Sequence, residues 1–331
     1  MANLMITYRC NLNCSYCFAN SYVNHQNTDM TLDTAKEILT WLSEGGERTV
    51  GIMGGEPTIY PHLDEILYFA RDKGIRCSLF TNGIRLIPWL DCLKETGARI
   101  LINVNEQDKM GSAQYEELEK TFHELLNRGF ADRVTFGVNI YKHDYDYSRV
   151  IELMKRFHHH ELRVSVTVPN GHLGNMDIIS YMEGYMPAVR NLLIELAKIN
   201  AYPSFDCNRI PACVLRSASL EDLPFLKEPG YRSNLLSGAV PCQPVIDILP
   251  DQTAIRCFGL SENLRVPVAR FRNISHLRNY FARQFDMLSA YTESSEKCRS
   301  CYEHETGLCN GGCLVYQLEK IMNMRKALMK E

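Results

Sequence analysis

Three cysteines near the start of the chain have a spacing that suits an iron–sulfur cluster. Cys10, Cys14 and Cys17 lie on one short segment and supply three thiolates, the ligand type that iron–sulfur clusters require. A [4Fe–4S] cubane has one iron more than these ligands can hold, so one iron stays open to another molecule. A structural zinc site is usually closed by four ligands, which makes a three-cysteine zinc site the weaker alternative.

The remaining cysteines fall into two groups. Cys77 and Cys92 lie in apolar segments, and we expect them to be small buried side chains. The odd total of 13 cysteines argues against a disulfide framework. The density of thiols in the last third of the chain predicts bound metal there. These late cysteines are Cys207, Cys213, Cys242, Cys257, Cys298, Cys301, Cys309 and Cys313.

Six short apolar runs alternate with amphipathic helical patterns over the first 200 residues. Such alternation implies right-handed βαβ crossovers and a parallel sheet, and six units are too few for a closed eight-stranded barrel. The sequence predicts an α/β fold: a partial (β/α)6 barrel over 1–200, then a small cysteine-rich α+β iron–sulfur domain over 201–331. The predicted strands are 4–8, 49–53, 76–80, 99–104, 133–140 and 162–168.

Candidate polar and glycine residues follow these strands. Cys10 follows the first strand, Gly54–Pro57 the second, and Thr81–Gly83 the third. Active sites of parallel sheets lie at the carboxyl ends of the strands, so we expect these three segments to lie close together.

The overall composition excludes some partners. The 36 basic and 39 acidic residues give a net charge of −3, and no long basic block is present. We therefore expect neither nucleic acid nor a membrane surface as the partner. The chain has no run of about 18 apolar residues and no signal-peptide pattern, which predicts a cytoplasmic protein with reduced thiols.

The first cysteine loop and the glycine motif together resemble the radical S-adenosylmethionine (SAM) superfamily. CNLNCSYC (10–17) fits the family's CxxxCxΦC loop with Tyr16 as the aromatic residue, and Gly54–Pro57 fits its GGEP motif. The resemblance implies that SAM binds the open iron of a [4Fe–4S] cluster held by the three loop cysteines. It also implies reductive cleavage of SAM to methionine and a 5′-deoxyadenosyl radical, which abstracts a hydrogen from substrate.

The resemblance further implies a set of SAM contacts. Backbone atoms of Gly54, Gly55 and Glu56, with Pro57 completing the motif, would hold the amino group of SAM. Glycine suits that role because its backbone can approach a ligand closely. Further contacts are expected at the ends of later strands, although each residue could instead be an ordinary turn or cap. These residues are Thr81, Asn82, Asn103, Asn105, Asn139 and Pro169.

The late cysteines resemble the SPASM/twitch extension, which binds auxiliary [4Fe–4S] clusters in many radical SAM enzymes. Cys242 and Cys257 are separated by 14 residues. A second group follows as Cys298-x2-Cys301-x7-Cys309-x3-Cys313, and its x7 gap is longer than in the family. Gln252 stands where the family usually has glycine, and the usual cysteine beyond Cys313 is missing. Cys207 and Cys213 could repair that deficit.

Three arrangements of the late cysteines stay open: two full clusters, one full cluster plus one with an open iron, or one cluster plus zinc or nothing. In the family, neighbouring ligands alternate between clusters, which implies that Cys313 joins Cys242 and Cys257. The three cysteines of 298–309 would then share the other cluster. The main alternative is a structural zinc ribbon at 298–313.

The leading functional hypothesis is a peptide or protein maturase whose auxiliary clusters accept an electron. An external flavodoxin- or ferredoxin-like protein would donate electrons to the first cluster. The second hypothesis is a radical SAM enzyme acting on a small molecule, such as a sugar or antibiotic precursor. The third is a non-enzymatic iron–sulfur electron-transfer protein, which would have no need of the glycine motif.

Several residues narrow the leading hypothesis. Because the first cluster cysteine is residue 10, we expect no leader-binding domain before it, so leader recognition would come from elsewhere. Phe258 stands where sulfatase-maturing relatives have an aspartate base, which argues against that activity. Asp247 and Asp251 are expected in a solvated loop, and no catalytic residue is assigned.

Overall fold

The computed structural model describes residues 2–25, 28–168, 177–208, 210–217, 242, 245–260, 264–309 and 311–328. The chain forms two compact units. The first consists of Met1–Phe136 and Pro244–Tyr280, and the second of Gly137–Gln243 and Phe281–Glu331. The domain boundary at residue 200 stays a prediction.

Four parallel strands form the centre of the first unit. They are β1 Ala2–Met5, β2 Thr49–Met53, β3 Arg76–Thr81 and β4 Arg99–Asn103. Leu4 pairs with Ile52, Ile52 with Leu79, and Leu79 with Ile100, so one buried apolar row crosses all four strands. Because both faces are covered, the strands have the nearly continuous apolar character from which they were predicted.

Helices follow the strands and cover them. They are α1 Leu32–Glu44, α2 Leu63–Asp72, α3 Leu90–Thr96 and α4 Ser112–Asn127. Helix α1 begins after Thr31, whose Oγ1 accepts a hydrogen bond from the Thr34 N–H at 3.2 Å. Gly45 caps its other end and donates its N–H to the Trp41 carbonyl. Residue types that favour helix ends therefore stand at both ends of this helix.

Three further strands, parallel to one another, lie in the second unit apart from the first residues of the first of these strands, and three helices accompany them. The strands are β5 Val134–Ile140, β6 Glu161–Val166 and β7 Tyr202–Phe205. The helices are α5 Ser148–Phe157, α6 Ile178–Lys198 and α7 Ala212–Ser217. Helix α6 begins at Ile178, because the Asp177 side chain caps it by accepting from the Ser180 N–H at 2.9 Å.

The later part of the chain returns to the first unit. Strand β8, Ile246–Ile248, pairs in parallel with β1, and β9 Thr253–Ile255 and β10 Val266–Pro267 continue antiparallel. Helix α8, Ile274–Phe281, follows. Gln252, in the turn between β8 and β9, has a φ of 64°. This left-handed conformation explains why glycine is usual at that position in the family.

The last cysteines lie among short helices. They are α9 Met287–Ser289, α10 Tyr302–Glu305 and α11 Leu318–Leu328, with a π-helical turn at Ala282–Asp286 before α9. Backbone hydrogen bonds of the turn type connect Cys298 to Cys301 and Tyr302 to Thr306. No strand occurs among the described residues of 281–328.

The predicted α/β class with a parallel-strand partial barrel is confirmed. The first strand lies at 2–5 rather than 4–8, because Thr7 forms a bridge with Asp29 and the Tyr8 N–H donates to Thr28. Those contacts turn the chain out of the sheet. Cys77 and Cys92 are buried, as predicted. Within the described residues, no helix is both long and apolar enough to cross a membrane.

Candidate active site

Asn24 holds the backbone of the first cysteine loop. Its side-chain oxygen accepts a hydrogen bond from the Cys10 N–H at 2.8 Å, and its amide group donates to the Leu12 carbonyl at 3.2 Å. Its own N–H donates to the Tyr8 carbonyl. Asn24 has a φ of 60°, a conformation that asparagine tolerates better than most residues. One side chain thus fixes both the start and the first turn of the loop.

An ion pair anchors the same loop at its base. The Arg9 guanidinium donates to both carboxylate oxygens of Asp29, at 2.9 and 2.5 Å. The Thr7 hydroxyl also donates to Asp29, at 2.5 Å. A bidentate contact of this kind restricts orientation as well as distance, so Cys10 leaves β1 in one direction.

The three loop thiols lie within electrostatic reach of one another. Burial raises the pKa of Cys10 to about 12 and that of Cys17 to about 11, and the charge of Cys14 adds to both shifts. The Leu12 N–H donates to the Cys10 sulfur at 3.4 Å, which favours the thiolate. Because a cluster binds thiolates, loading iron here must release protons. Ligand type and number fit a cubane with an open iron.

The described residues contain no tight site for a single metal ion. Nowhere among them do three or more His, Cys, Asp or Glu side chains converge closely enough to hold one.

Gly54 and Gly55 allow the end of β2 to pack against the cysteine loop. A Cβ on Gly55 would lie 2.6 Å from the Arg9 carbonyl carbon and 2.9 Å from the Cys10 Cβ. A Cβ on Gly54 would lie 2.8 Å from the Thr7 side chain. The close approach that requires glycine is therefore to the chain's own backbone. The sequence had suggested only an approach to a ligand.

The same motif leaves carbonyl oxygens for a ligand. The Gly55 N–H donates to the Thr7 carbonyl and the Glu56 N–H to the Arg9 carbonyl, both at 2.8 Å. With those donors in use, Gly54 and Gly55 can offer carbonyl acceptors. An ammonium group is a donor only, so the motif fits the amino group of SAM.

The Glu56 carboxylate is buried and joins the ends of β2 and β3. It accepts four hydrogen bonds, from the Thr58 N–H and hydroxyl, the Thr81 hydroxyl and the Asn82 N–H, at 2.7 to 3.1 Å. Burial raises the pKa of Glu56, while these bonds oppose the shift. Pro57 begins the short 3₁₀ turn Pro57–Ile59 that follows. The Glu56 side chain therefore positions strands and is not directed to a ligand.

Asn82 connects this network to the cysteine loop. Its amide group donates to the side-chain oxygen of Asn11 at 2.7 Å. Gln114, on α4, donates to the Asn11 carbonyl at 2.9 Å. The next residue, Gly83, has a φ of 81°, which glycine adopts without strain. The structure thus brings the ends of β1, β2 and β3 together, as the sequence predicted.

Tyr16 and Asn105 contact each other. The Tyr16 hydroxyl donates to the Asn105 side-chain oxygen at 2.5 Å, which connects the cysteine loop to the end of β4. Burial raises the pKa of Cys14, and the interaction with the Tyr16 side chain lowers it by a smaller amount. Asn103 is half-buried at the last position of β4. Contacts of these residues with SAM stay predictions.

Asn139 belongs to a polar network in the second unit. Its side-chain oxygen accepts hydrogen bonds from the Ser165 hydroxyl at 2.6 Å and from Arg163 at 2.9 Å. Arg163 also donates to Asp206 at 2.6 Å. Pro169 lies outside the described residues. A SAM contact at either position stays a prediction.

Phe258 packs on aromatic residues of the cysteine loop. Its ring centroid lies 4.9 Å from that of Phe18 and 6.0 Å from that of Tyr22, both in edge-on geometry. The preceding residue, Cys257, is half-buried. The position after this cysteine therefore provides apolar cover beside Cys17, and no carboxylate stands there to act as a base.

The two aspartates near this segment differ. Asp251 is exposed and forms an ion pair with Arg265. Asp247 is buried in β8, where it accepts a hydrogen bond from Asn3 at 2.7 Å. Burial raises the pKa of Asp247 to about 7. The expectation of a solvated loop was wrong for Asp247, because β8 pairs with β1 and is covered on both faces.

Four of the late cysteines gather in the second unit. Cys213, on α7, lies within electrostatic reach of Cys301 and Cys309. Cys298 is in turn within reach of Cys309 and Cys213. Burial is the main cause that raises the pKa of both Cys213 and Cys298, and the neighbouring thiols add to it. The group has the ligand type and number of a closed cubane.

The remaining late cysteines stand elsewhere. Burial is the main cause that raises the pKa of Tyr316. The charges of Cys313 and Cys207 raise it further, which shows that both thiols lie near this tyrosine. Cys242 is half-buried. A second auxiliary cluster that joins Cys242, Cys257 and Cys313 stays a prediction, and so does a metal-binding role for Cys207.

Comparison with known families assigns the chain to a superfamily. Residues 4–178, more than half of the chain, match the Radical SAM superfamily, and the chain therefore belongs to that superfamily. Members of this superfamily use a [4Fe–4S] cluster and SAM.

Two solved structures share the fold over nearly the whole chain. SuiB from Streptococcus suis bound to S-adenosylmethionine is 15% identical, with a TM-score of 0.62, and covers 96% of this chain and 73% of its own. Native anSMEcpe with bound AdoMet is also 15% identical, with a TM-score of 0.62, over 99% and 100%. At this identity the likeness concerns the fold.

Curated relatives match over a shorter segment. A 7,8-dihydro-6-hydroxymethylpterin dimethyltransferase of Methanocaldococcus jannaschii is 39% identical over 102 residues, 29% of this chain and 20% of the relative. An S-adenosylmethionine-dependent nucleotide dehydratase of a Thermoplasmatales archaeon is 36% identical over 83 residues, 25% and 29% respectively. The chain thus spans less than a third of the length of these relatives.

Sequence reasoning missed several residues that build the site. Asn24, Asp29, Asn11 and Gln114 position the cysteine loop through side chains that come from outside the motifs. The only local signal was an asparagine or aspartate in a turn-rich stretch, which is common in any loop.

Proposed function

We propose that this radical SAM enzyme abstracts hydrogen from a side chain of a peptide or protein and passes an electron to an auxiliary cluster. The single observation that carries the proposal is the second thiol group, formed by Cys213 and the cysteines of 298–309. An enzyme that only cleaves SAM needs the first cysteine loop. A further group of four thiols provides a place for an electron acceptor.

The first unit supplies binding and orientation. When bound, the loop cluster and SAM supply a 5′-deoxyadenosyl radical that removes a hydrogen atom from substrate. Carbonyl oxygens of Gly54 and Gly55 accept hydrogen bonds from the SAM amino group. The Glu56 network keeps the ends of β2 and β3 in register with the loop. Phe258 packs against Phe18 and would place an apolar ring beside the loop that holds the cluster.

Two of the structural relatives support a peptide substrate. SuiB has been solved with its precursor peptide SuiA, and anSMEcpe with AdoMet and a peptide. Their likeness covers 96% and 98% of this chain, so it includes the late cysteines as well as the superfamily region. In this proposal, a flavodoxin- or ferredoxin-like protein reduces the loop cluster.

A small-molecule substrate is the second candidate. The observation that favours it is the activity for which the curated relatives are named, a pterin dimethyltransferase and a nucleotide dehydratase. Their matches span only 83 to 102 residues, less than a third of this chain. They therefore bear on the radical chemistry more than on the substrate. Membership of the superfamily favours either enzyme over the electron-transfer hypothesis.

The test is a reaction of the anaerobically reconstituted protein with dithionite and SAM. We expect release of 5′-deoxyadenosine, and none from the Cys14→Ala variant. Short peptides encoded beside the gene are then added one at a time, and their masses are compared before and after reaction. A mass change that requires SAM supports the proposal. Unchanged peptides, with turnover of a sugar or nucleotide instead, would support the second candidate.

A further inference from the structure

The cysteines of the segment 298–309 are one ligand short of a closed cubane. This segment contributes Cys298, Cys301 and Cys309. The sequence offers Cys207 and Cys213 equally as the fourth ligand, because the two cysteines lie only six residues apart. The structure distinguishes between them.

An ion pair holds helix α7 against this segment. Cys213 and Arg216 are three residues apart on α7, so their side chains lie on the same face. The Arg216 guanidinium donates to both carboxylate oxygens of Glu303, which lies on α10; one of the two distances is 2.6 Å. Glu303 is 87 residues away in sequence, so the contact is a tertiary one.

The same glutamate also positions a cluster cysteine. The Glu303 carbonyl accepts a hydrogen bond from the Cys309 N–H at 2.8 Å. Its side chain therefore holds Arg216 while its main chain holds Cys309. Arg216 itself is within electrostatic reach of both Cys213 and Cys301. These contacts hold α7 so that Cys213 lies close to the segment 298–309.

Cys207 has a different neighbourhood. It lies near Tyr316 together with Cys313, whereas the thiols that act on Cys213 are those of the segment 298–309. Cys207 and Cys213 thus have different neighbouring thiols, although they are close in sequence.

We propose that Cys213 is the fourth thiolate ligand of an iron–sulfur cluster whose other three ligands come from the segment 298–309. The inference rests on the proposed function, which assigns an auxiliary cluster to this unit. Four cysteine ligands leave no open iron, so this cluster binds neither SAM nor substrate. It acts by accepting and passing on an electron.

The test counts iron in full-length variants that lack the loop cluster. In a Cys10→Ala, Cys14→Ala, Cys17→Ala background all remaining iron is auxiliary. Adding Cys301→Ala should remove about four irons per chain. Adding Cys213→Ala to the background should remove the same iron, or convert the cubane to a [3Fe–4S] form visible by electron paramagnetic resonance after oxidation.

Combining Cys213→Ala with Cys301→Ala shows whether the two cysteines bind the same cluster. Cys213→Ala should cause no further loss of iron when Cys301→Ala is already present, because both residues serve one cluster. A further loss would place Cys213 in another cluster and overturn the inference. An unchanged iron count and spectrum in the Cys213→Ala variant would overturn it as well. Cys77→Ala is the matched control, since that buried thiol should leave iron unchanged.

Exchanging the two charges tests whether the ion pair between Arg216 and Glu303 holds α7 in place. Arg216→Glu and Glu303→Arg should each lower iron retention after gel filtration, and the double variant should recover it. Equal retention in all variants would contradict the role of the ion pair in delivering Cys213. SAM cleavage by the wild-type chain separates the two proposals. Cleavage with no auxiliary iron in the background variant would overturn this inference and leave the radical chemistry intact.

Discussion

The two cysteine-bearing regions differ in what holds their thiols in place. The loop at 10–17 follows a central parallel strand, and the side chains of Asn24 and Asp29 fix it. Backbone bonds from the end of β2 add to this support. Within the part of the chain that the structure describes, the segment 298–313 itself consists of turns and short helices, and the ion pair between Glu303 and Arg216 connects it to α7.

This difference separates two ways of building a metal site. In the first region the sheet, the glycine motif and the polar network hold the loop before iron arrives, so precise geometry can serve chemistry on SAM. The described residues of the second region include no strand, so we expect bound metal to supply part of the folding free energy there. A site that passes electrons tolerates this, because it needs closed ligation more than an exact substrate position.

The largest expected effect comes from removing a ligand of the first region. Cys14→Ala should abolish 5′-deoxyadenosine formation, because the loop cluster loses one of its three ligands. Reaction of the variant with SAM and dithionite, followed by chromatography, measures this. Cys92→Ala serves as control and should retain activity. Product formed at the wild-type rate by Cys14→Ala would break the assignment of the loop.

Removing a ligand of the second region should have a different result. Cys301→Ala should lower iron by about four per chain and leave the loop cluster and SAM cleavage in place. Iron and sulfide analysis with a parallel 5′-deoxyadenosine assay tests both halves of this statement. Iron equal to that of the wild type would contradict an auxiliary cluster at 298–309.

Removing all iron should destabilise the segment 298–313 more than the loop at 10–17. Chelation should speed amide hydrogen exchange in 298–313 by about tenfold or more, which corresponds to ~1.4 kcal/mol of local stability. Amides of β1 and of Gly55 should change less, because the sheet and the loop contacts remain. Exchange measured by mass spectrometry on the holo and apo protein decides this. Equal acceleration in both regions would refute the comparison.

A methyl group at Gly55 tests the preformed packing of the first region. Gly55→Ala should cost about 1–3 kcal/mol, since the Cβ meets backbone atoms of Arg9 that cannot move aside. Gly111→Ala is the control, because its Cβ would enter open space beside Gln114. Denaturant unfolding of the two apo variants gives the comparison. Equal midpoints would show that the loop adapts to the methyl group.

A smaller effect is expected from the Glu56 network. Thr81→Val removes one donor to the buried carboxylate and should cost about 1.5–3 kcal/mol, toward the lower end because three donors remain. Thr121→Val is the matched control: Thr121 is equally buried, but its hydroxyl only donates to the Glu117 carbonyl within α4. Unfolding curves measure both. A larger loss from Thr121→Val would contradict the importance of the network.

Much of the fold could be predicted from local pattern. The strands at 49–53 and 76–81 and the capped helix α1 follow from apolar periodicity and cap residues, which act over a few neighbours. Strands β8 to β10 were missed because each has only two or three residues. Such short runs have no period to recognise, and pairing with β1 makes them strands.

The sequence by itself determined the thiols that could bind iron, the glycine motif and the order of strands that carries them to one edge of a sheet. These follow from residue type, spacing and alternation, all of which are local. Only the tertiary structure decided that Asn24 and Asp29 hold the loop, that Asp247 is buried, and that Cys213 rather than Cys207 lies within electrostatic reach of the cysteines of 298–309. Those outcomes depend on contacts between residues 14 to 244 positions apart, which no local pattern records.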